Sequence, residues 1–145
     1  MIDGYYYLHE NKSLIYKREL GDTAADIRES PFAIAMWSLD PTDRECCWSI
    51  LIEALALGAN RNRILDLSSK WSCDNNDAVV YANRVGAVLT KDGDQFCATR
   101  KDFVNLQESP AGFGDTALEA LAGLCHELGF IGGKMWNKTF KDLLQ

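Results

Sequence analysis

The sequence feature that most constrains the fold is a β-hairpin signal in the second half of the chain, centred on Asp92-Gly93. Two runs rich in apolar and β-branched residues, 87–91 and 94–99, flank this dipeptide. An Asp-Gly pair adopts the positive φ angles that a two-residue hairpin turn requires. A third run, 103–106, has the composition of a further strand. The sequence therefore predicts a three-stranded antiparallel sheet, followed by a loop rich in glycine and proline at 107–114.

A capped helix follows this sheet. Thr116 and Glu119 form the capping-box pattern, in which a threonine is followed three residues later by a glutamate. Gly129 ends the helix. A last segment, 135–144, predicts a short amphipathic helix. The apolar residues behind the cap recur at helical spacing and predict one packed face, formed by Leu118, Leu121, Ala122, Cys125 and Leu128.

Three further helices are predicted before the sheet. The first opens with Asp40-Pro41, because aspartate suits the cap and proline suits the first helical position, and it ends at Gly58. The second begins at Asn60, and the third is capped within 75–77. The apolar residues of the first helix predict one buried stripe, formed by Cys47, Ile50, Leu51, Ala54 and Leu57.

The N-terminal segment has a second hairpin signal. Aromatic and β-branched runs at 4–9 and 13–17 flank the turn-forming residues 10–12. The apolar run 32–37 fits either a buried strand or a helical turn. These patterns predict an α+β fold, with a helical N-terminal part and a β-hairpin packed on a C-terminal three-stranded antiparallel sheet plus helix. We expect a single domain over 1–145, with a candidate seam near 72–77 that divides 1–72 from 78–145.

Length and charge exclude several classes of protein. The 145 residues carry a net charge of −6, and 47% of them are hydrophobic, which is typical of a globular chain. No apolar run approaches the roughly 18–20 residues of a membrane span. The N-terminus has no pattern of a secretory signal. We therefore expect a cytoplasmic protein that does not interact with membranes.

The basic residues do not form the cluster that binds duplex nucleic acids. The mild acidity of the chain suits docking on a basic protein surface. We therefore expect a protein as the partner, with nucleic acid less favoured. A homodimer through an open sheet edge is also compatible with the pattern. A solvated helix face explains the one loose series of basic residues, which consists of Arg61, Arg63, Lys70, Arg84 and Lys91.

The chemistry-bearing residues form no strong catalytic motif. The five cysteines are odd in number and include no Cys-x-x-Cys pair. This pattern argues against a disulfide framework and a zinc site, so we expect reduced thiols, no metal and no cofactor. The chain also has no phosphate-binding glycine loop and no nucleophile elbow. A small cysteine-dependent enzyme stays open as an alternative, with His9 or His126 activating Cys46, Cys97 or Cys125.

Aromatic residues are the candidate binding residues. Tyr5, Tyr6 and Tyr7 are consecutive in the first predicted strand, where they either stack on bases or alternate between core and surface. Phe113 lies between two glycines, where it either anchors a partner or fills the junction of sheet and helix. Trp136 belongs to the last predicted helix. Tyrosine, tryptophan and phenylalanine are enriched at protein interfaces.

Residues 88–128 resemble the N-terminal module of HicB-type antitoxins. The resemblance lies in three strings that follow the module's order of three strands, a loop and a helix: Pro110-Ala111-Gly112, Gly114-Asp115-Thr116 and Glu119-Ala120-Leu121. It implies the sheet-plus-helix fold and a role in RNA or toxin binding. The string 105–116 is also similar to one found in short, uncharacterised phage and prophage proteins, which implies a phage or prophage origin.

Three functional hypotheses follow from these features. The preferred one is a non-enzymatic, phage- or prophage-encoded accessory protein that binds a macromolecule and inhibits or modulates a host complex. The first alternative is a HicB-like RNA- or toxin-binding regulator that uses the sheet face and Tyr5 to Tyr7. The second alternative is the small cysteine-dependent enzyme.

Overall fold

The computed structural model describes residues 44–130 and 139–145, together with the backbone of three strands at 2–8, 14–17 and 33–39. The α+β fold class predicted from the sequence is confirmed. None of the helices within these ranges is both long and apolar enough to cross a membrane. In chain order the elements are β1 (Ile2–Leu8), β2 (Leu14–Lys17), β3 (Ala33–Leu39), α1 (Arg44–Ala56), α2 (Arg61–Lys70), α3 (Asn75–Val85), β4 (Ala87–Asp92), β5 (Gln95–Arg100), β6 (Ala111–Gly114), α4 (Ala117–Glu127) and α5 (Phe140–Leu143).

The first sheet is antiparallel and has the order β2-β1-β3. The pairing of Tyr6 with Tyr16 confirms the N-terminal hairpin, whose turn at 10–12 lies outside the described residues. The sequence left open whether the next apolar run is a strand or a helical turn. It is the strand β3, in which Trp37 pairs with Gly4. The prediction of a hairpin alone was therefore incomplete, because β3 extends it to three strands.

α1 is enclosed by the rest of the molecule. Every residue from Cys46 to Ala54 is buried. The other four helices and β3 all contact α1. The prediction of a single buried stripe was wrong, because residues 46–54 are apolar around most of the helix circumference. A helix of that composition belongs inside a core. Ser49 and Glu53, the two polar residues within 46–54, are buried with it.

Glu53 places a carboxyl group inside this core, where it is 1% exposed. The Ser49 hydroxyl donates a hydrogen bond to Oε2 at 2.9 Å, and the backbone N–H of Phe140 donates one to Oε1 at 3.3 Å. Burial raises the pKa of Glu53 to about 8, because removal from water disfavours the charged form. The hydrogen bonds satisfy both carboxyl oxygens and hold α5 against α1.

A second polar network joins α1 to α3. Asp77 Oδ2 accepts hydrogen bonds from Arg44 Nη2 at 2.9 Å and from Trp48 Nε1 at 2.6 Å. The Trp48 ring also stacks on Tyr81, with 5.8 Å between the ring centroids. Asp77 lies in the candidate seam at 72–77, and buried core residues come from both sides of that segment. The division of the chain at the seam stays a prediction.

The second sheet is antiparallel and has the order β4-β5-β6. Its first hairpin is where the sequence predicted one, but the turn lies one residue later. Asp92 pairs with Gln95, so that Gly93 and Asp94 form the turn. Gly93 has a φ of 62°, a conformation that glycine adopts without steric cost.

The third strand of this sheet is not the one predicted. Residues 103–106 lie in a loop, and Ala111–Gly114 forms the strand instead. The Asn105 side chain accounts for the difference, because it accepts hydrogen bonds from the backbone N–H groups of Gln107 and Glu108, both at 2.9 Å. This local turn occupies backbone groups that a strand would use for pairing.

α4 packs on the second sheet and approaches β6 closely. Its capping box is confirmed, since Thr116 Oγ1 accepts from the Glu119 N–H and Glu119 Oε2 accepts from the Thr116 N–H, both at 3.2 Å. Gly112 touches the helix so closely that a Cβ there would overlap the backbone of Ala120. Gly123 faces Gly112 from the helix side. The separation of strand and helix therefore requires glycine at 112.

The remaining helices follow the sequence signals with small differences. Asn60 caps α2, as predicted. α3 is capped by Asp74, one residue before the predicted cap segment at 75–77. α5 lies within the last predicted helix, whose residues 135–138 are outside the described part of the chain.

Glu53 makes stability depend on pH. Its pKa rises from 4.5 in the unfolded chain to about 8 on folding. Between these values the folded state holds a proton that the unfolded state has lost, so the free energy of unfolding falls as pH rises, by up to about 1.4 kcal/mol per unit. The stabilising contribution is complete below the lower pKa and is lost as pH rises through the upper one.

Denaturant titrations at several pH values across this range measure the free energy of unfolding. Glu53→Gln, whose side chain does not titrate, should flatten the dependence of that free energy on pH. An unchanged slope in the variant would contradict the assignment.

Gly112→Ala should destabilise the fold by about 2–3 kcal/mol, because the added methyl group overlaps helix backbone that cannot move without disturbing the core. Gly123→Ala is the matched comparison. Its Cβ would lie 3.2 Å from the Gly112 Cα, and alanine gains about 1 kcal/mol of helix propensity over glycine. We therefore expect a much smaller loss at 123. Midpoints of urea unfolding compare the two variants, and wild-type stability in Gly112→Ala would disprove the close approach.

Candidate functional site

The structure places Phe113 and the three predicted binding tyrosines in strands of different sheets. Tyr5, Tyr6 and Tyr7 lie in β1, where they pair with Lys17, Tyr16 and Ile15. Their side chains and the whole of Trp136 lie outside the described part of the structure. Of the predicted binding residues, Phe113 is the one whose side chain is described.

Phe113 lies on β6 and is 44% exposed. Its neighbours Gly112 and Gly114 face α4, since a Cβ on either would overlap that helix. Side chains alternate along a strand, so Phe113 projects from the opposite face of the sheet. The alternative that Phe113 fills the junction between sheet and helix is therefore wrong. Backbone contact at Gly112 fills that junction instead.

The face of the second sheet that carries Phe113 is uncharged over its central rows. Thr90, Cys97 and Phe113 are paired in one row across the three strands. Val88, Thr99 and Ala111 form the next row. We call these six residues the outer sheet face. None of the six side chains is charged; Val88, Thr90 and Phe113 are exposed, Cys97 and Ala111 are half-buried, and Thr99 is buried.

The loop between β5 and β6 exposes further apolar side chains. Phe103 is 37% exposed, Val104 68% and Leu106 65%. The loop is ordered by local hydrogen bonds, including one from the Val104 N–H to Ser109 Oγ at 3.0 Å. The described part of the chain has seven exposed large apolar side chains, and five of them belong to this loop or to the outer sheet face. The other two are Val79 and Val80 on α3.

A groove of about 740 Å³ lies beside β6. All four residues of β6 line it, together with the face of α4 that bears Glu119, Gly123 and His126. These helix residues are three or four positions apart and therefore share one face. Leu55 and Arg61, from the corner between α1 and α2, form the far wall.

The groove is acidic. Asp115, Glu119 and Glu127 line it with Arg61 and His126. Arg61 forms an ion pair with Glu119. Partial burial raises the pKa of Glu119, but hydrogen bonds from Arg61 and from the Thr116 and Asp115 amides outweigh burial and hold this pKa below its usual value. Three carboxylates therefore face one guanidinium, which gives the groove a negative balance.

The cysteines give no support to a nucleophilic site. All five lie in the described part of the chain, and none of them forms a disulfide bond. Burial raises the pKa of Cys73 to about 12 and raises that of Cys125 well above its usual value. These two groups therefore stay protonated, whereas a nucleophile must be a thiolate. His126 is exposed beside the buried Cys125, and His9 lies outside the described residues.

The loose basic series identified in the sequence is divided among α2, α3 and β4. The Arg61 guanidinium forms an ion pair with Glu119. Lys91 lies over the Phe96 ring, 5.5 Å from its centroid. Within the ranges that the structure describes, no group of three or more histidine, cysteine or acidic side chains is arranged to hold a metal ion.

The groove was missed in the sequence, although some of its residues were identified for other reasons. Glu119 was identified as a helix cap and Phe113 as an aromatic anchor. The three- and four-residue spacing of Glu119, Gly123 and His126 was the available signal for a shared helix face. Arg61 had no local signal, because its partner Glu119 is 58 residues away along the chain.

The geometry therefore consists of an uncharged sheet face with exposed apolar residues and an acidic groove along the edge of the same sheet. No protein-family model, curated protein or solved structure matches this chain.

Proposed function

We propose that this chain is a non-enzymatic, phage- or prophage-encoded accessory protein that binds a host or phage protein and thereby inhibits or modulates a host complex. The similarity of the string 105–116 to one in short phage and prophage proteins supports the origin. The observation that carries the binding role is the concentration of exposed apolar side chains on the outer sheet face and the adjoining loop.

Exposed apolar side chains favour a protein partner because their burial is the main driving force of protein association. Phe113 combines the properties of an interface anchor: it is aromatic, exposed, and held on a strand whose other face is fixed against α4. Val88 and Leu106 add exposed apolar area on the same sheet and its loop.

The charges favour a protein over a nucleic acid. The groove next to the outer sheet face has three carboxylates and one guanidinium. Phosphate groups would be repelled there, whereas a basic protein segment would be attracted.

A HicB-like regulator that binds RNA or a toxin is the second candidate. The succession β4, β5, β6 and α4 has the order of elements in the module that residues 88–128 resemble, which favours this alternative. A basic protein toxin would be attracted by the carboxylates of the groove, whereas RNA would be repelled by them. Burial raises the pKa values of Cys97 and Cys125, two of the three candidate nucleophiles, which argues against the third candidate, a cysteine-dependent enzyme.

Substitution of Phe113 tests the proposed function. We expect Phe113→Ser to reduce recovery of a specific partner by about tenfold or more, because loss of an interface anchor costs about 2 kcal/mol or more. The tagged chain is used to capture the partner from the native host, followed by mass spectrometry and by affinity measurement with the purified partner. Val80→Ser is the matched control, since Val80 is 55% exposed on α3 and lies outside the sheet.

Thermal unfolding of both variants first establishes that they fold like the wild type. Equal partner affinity for the wild type and Phe113→Ser would contradict a role for the outer sheet face. Capture of RNA with a steep dependence on salt would favour the HicB-like alternative instead.

A further inference from the structure

β6 is an edge strand of the second sheet. It pairs with β5 from Ala111 to Gly114. Among the described residues, no other strand pairs with it, and the hydrogen bonds of its backbone are those of the ladder with β5. Backbone groups alternate between the two edges of a strand, so one set of N–H and C=O groups on β6 points away from β5.

The acidic groove lies along this second edge. All four residues of β6 line it, whereas β5 contributes only its first residue, Gln95. The groove floor is formed by α4, where Ala122 has only a methyl side chain and Gly123, which lies against Gly112, has none. An added strand lies about 4.8 Å from its neighbour, which would place it over this floor.

The carboxylates lie towards both ends of β6. Gly114 is next to Glu119, and Gly112 is next to Gly123, so α4 runs antiparallel to the strand. Asp115 directly follows Gly114, while Glu127 lies one helical turn beyond Gly123 and thus towards the other end of β6. An occupant of the groove would therefore meet negative charge near each of its ends.

We propose that the groove binds an extended segment of the partner protein that carries lysine or arginine, and that this segment pairs with the free edge of β6 as a fourth strand. The inference rests on the proposed function and specifies how the partner is held. Backbone pairing supplies affinity in this mode of recognition, and the charges select the sequence. A second copy of the chain fits less well, because its own groove carboxylates would approach those of the first copy and each chain has a net charge of −6.

The test uses the full chain and a synthetic peptide of about ten residues in which lysine and valine alternate, a length typical of long strands. We expect the peptide to shift the amide NMR resonances of residues 111–115. The same peptide with glutamate in place of lysine should not bind. A lysine peptide that is N-methylated at alternate residues, in the register that points its N–H groups at β6, should also fail to bind, because its backbone cannot pair.

The acidic ends of the groove are tested by the double variant Asp115→Asn/Glu127→Gln. We expect its affinity for the lysine peptide to fall about fivefold at low salt, as for the loss of two exposed ion pairs. The matched control is Asp66→Asn/Glu108→Gln, which removes two exposed carboxylates outside the groove and should leave the affinity unchanged.

Four results would overturn the inference: no shift at residues 111–115, equal binding of the glutamate peptide, preferential binding of a single-stranded RNA at this site, or a homodimer that occupies the β6 edge. If the lysine peptide fails while a partner is captured through Phe113, the groove inference alone falls. If capture through Phe113 fails and the peptide still binds, the proposed use of the outer sheet face falls instead.

Discussion

The contact between α4 and β6 at Gly112 decides what the second sheet presents to its surroundings. Strand and helix backbones touch at this point, and a side chain larger than hydrogen would separate them. Because Gly112 and Gly114 face the helix, Phe113 must project from the other face of the sheet. The same contact places the carboxylate-bearing face of α4 beside the edge of β6 that pairs with no other described strand. The outer sheet face and the groove are thus two consequences of one close approach.

The enclosed helix α1 supports the contact between α4 and β6, because α4 packs against α1. Its polar groups are accommodated in two different ways. Glu53, deep in the core, has its pKa raised to about 8 and accepts hydrogen bonds from Ser49 and the Phe140 amide. Arg44, at the less buried N-terminal end of α1, instead forms an ion pair with the Asp77 carboxylate of α3. Both solutions follow from the high cost of burying a carboxylate without a partner.

Recognition by this chain, as proposed, combines an apolar anchor with a charged rim. Phe113 and the loop residues contribute apolar area, while Asp115 and Glu127 attract a basic segment and repel phosphates. The combination is typical of protein interfaces, where apolar burial provides affinity and charge complementarity provides selection.

The sequence by itself determined the local elements, because their causes are local: the Asp-Gly hairpin, the Thr116–Glu119 capping box and the cap at Asn60 each depend on residues a few positions apart. It misjudged the third strand, where the Asn105 side chain competes with strand pairing, and the single stripe of α1, whose burial depends on which elements surround it. Only the tertiary structure brought Arg61 to Glu119, fixed Phe113 on the outer face and created the groove. These features depend on distances between segments far apart in the chain, and no short-range pattern of residue types encodes such distances.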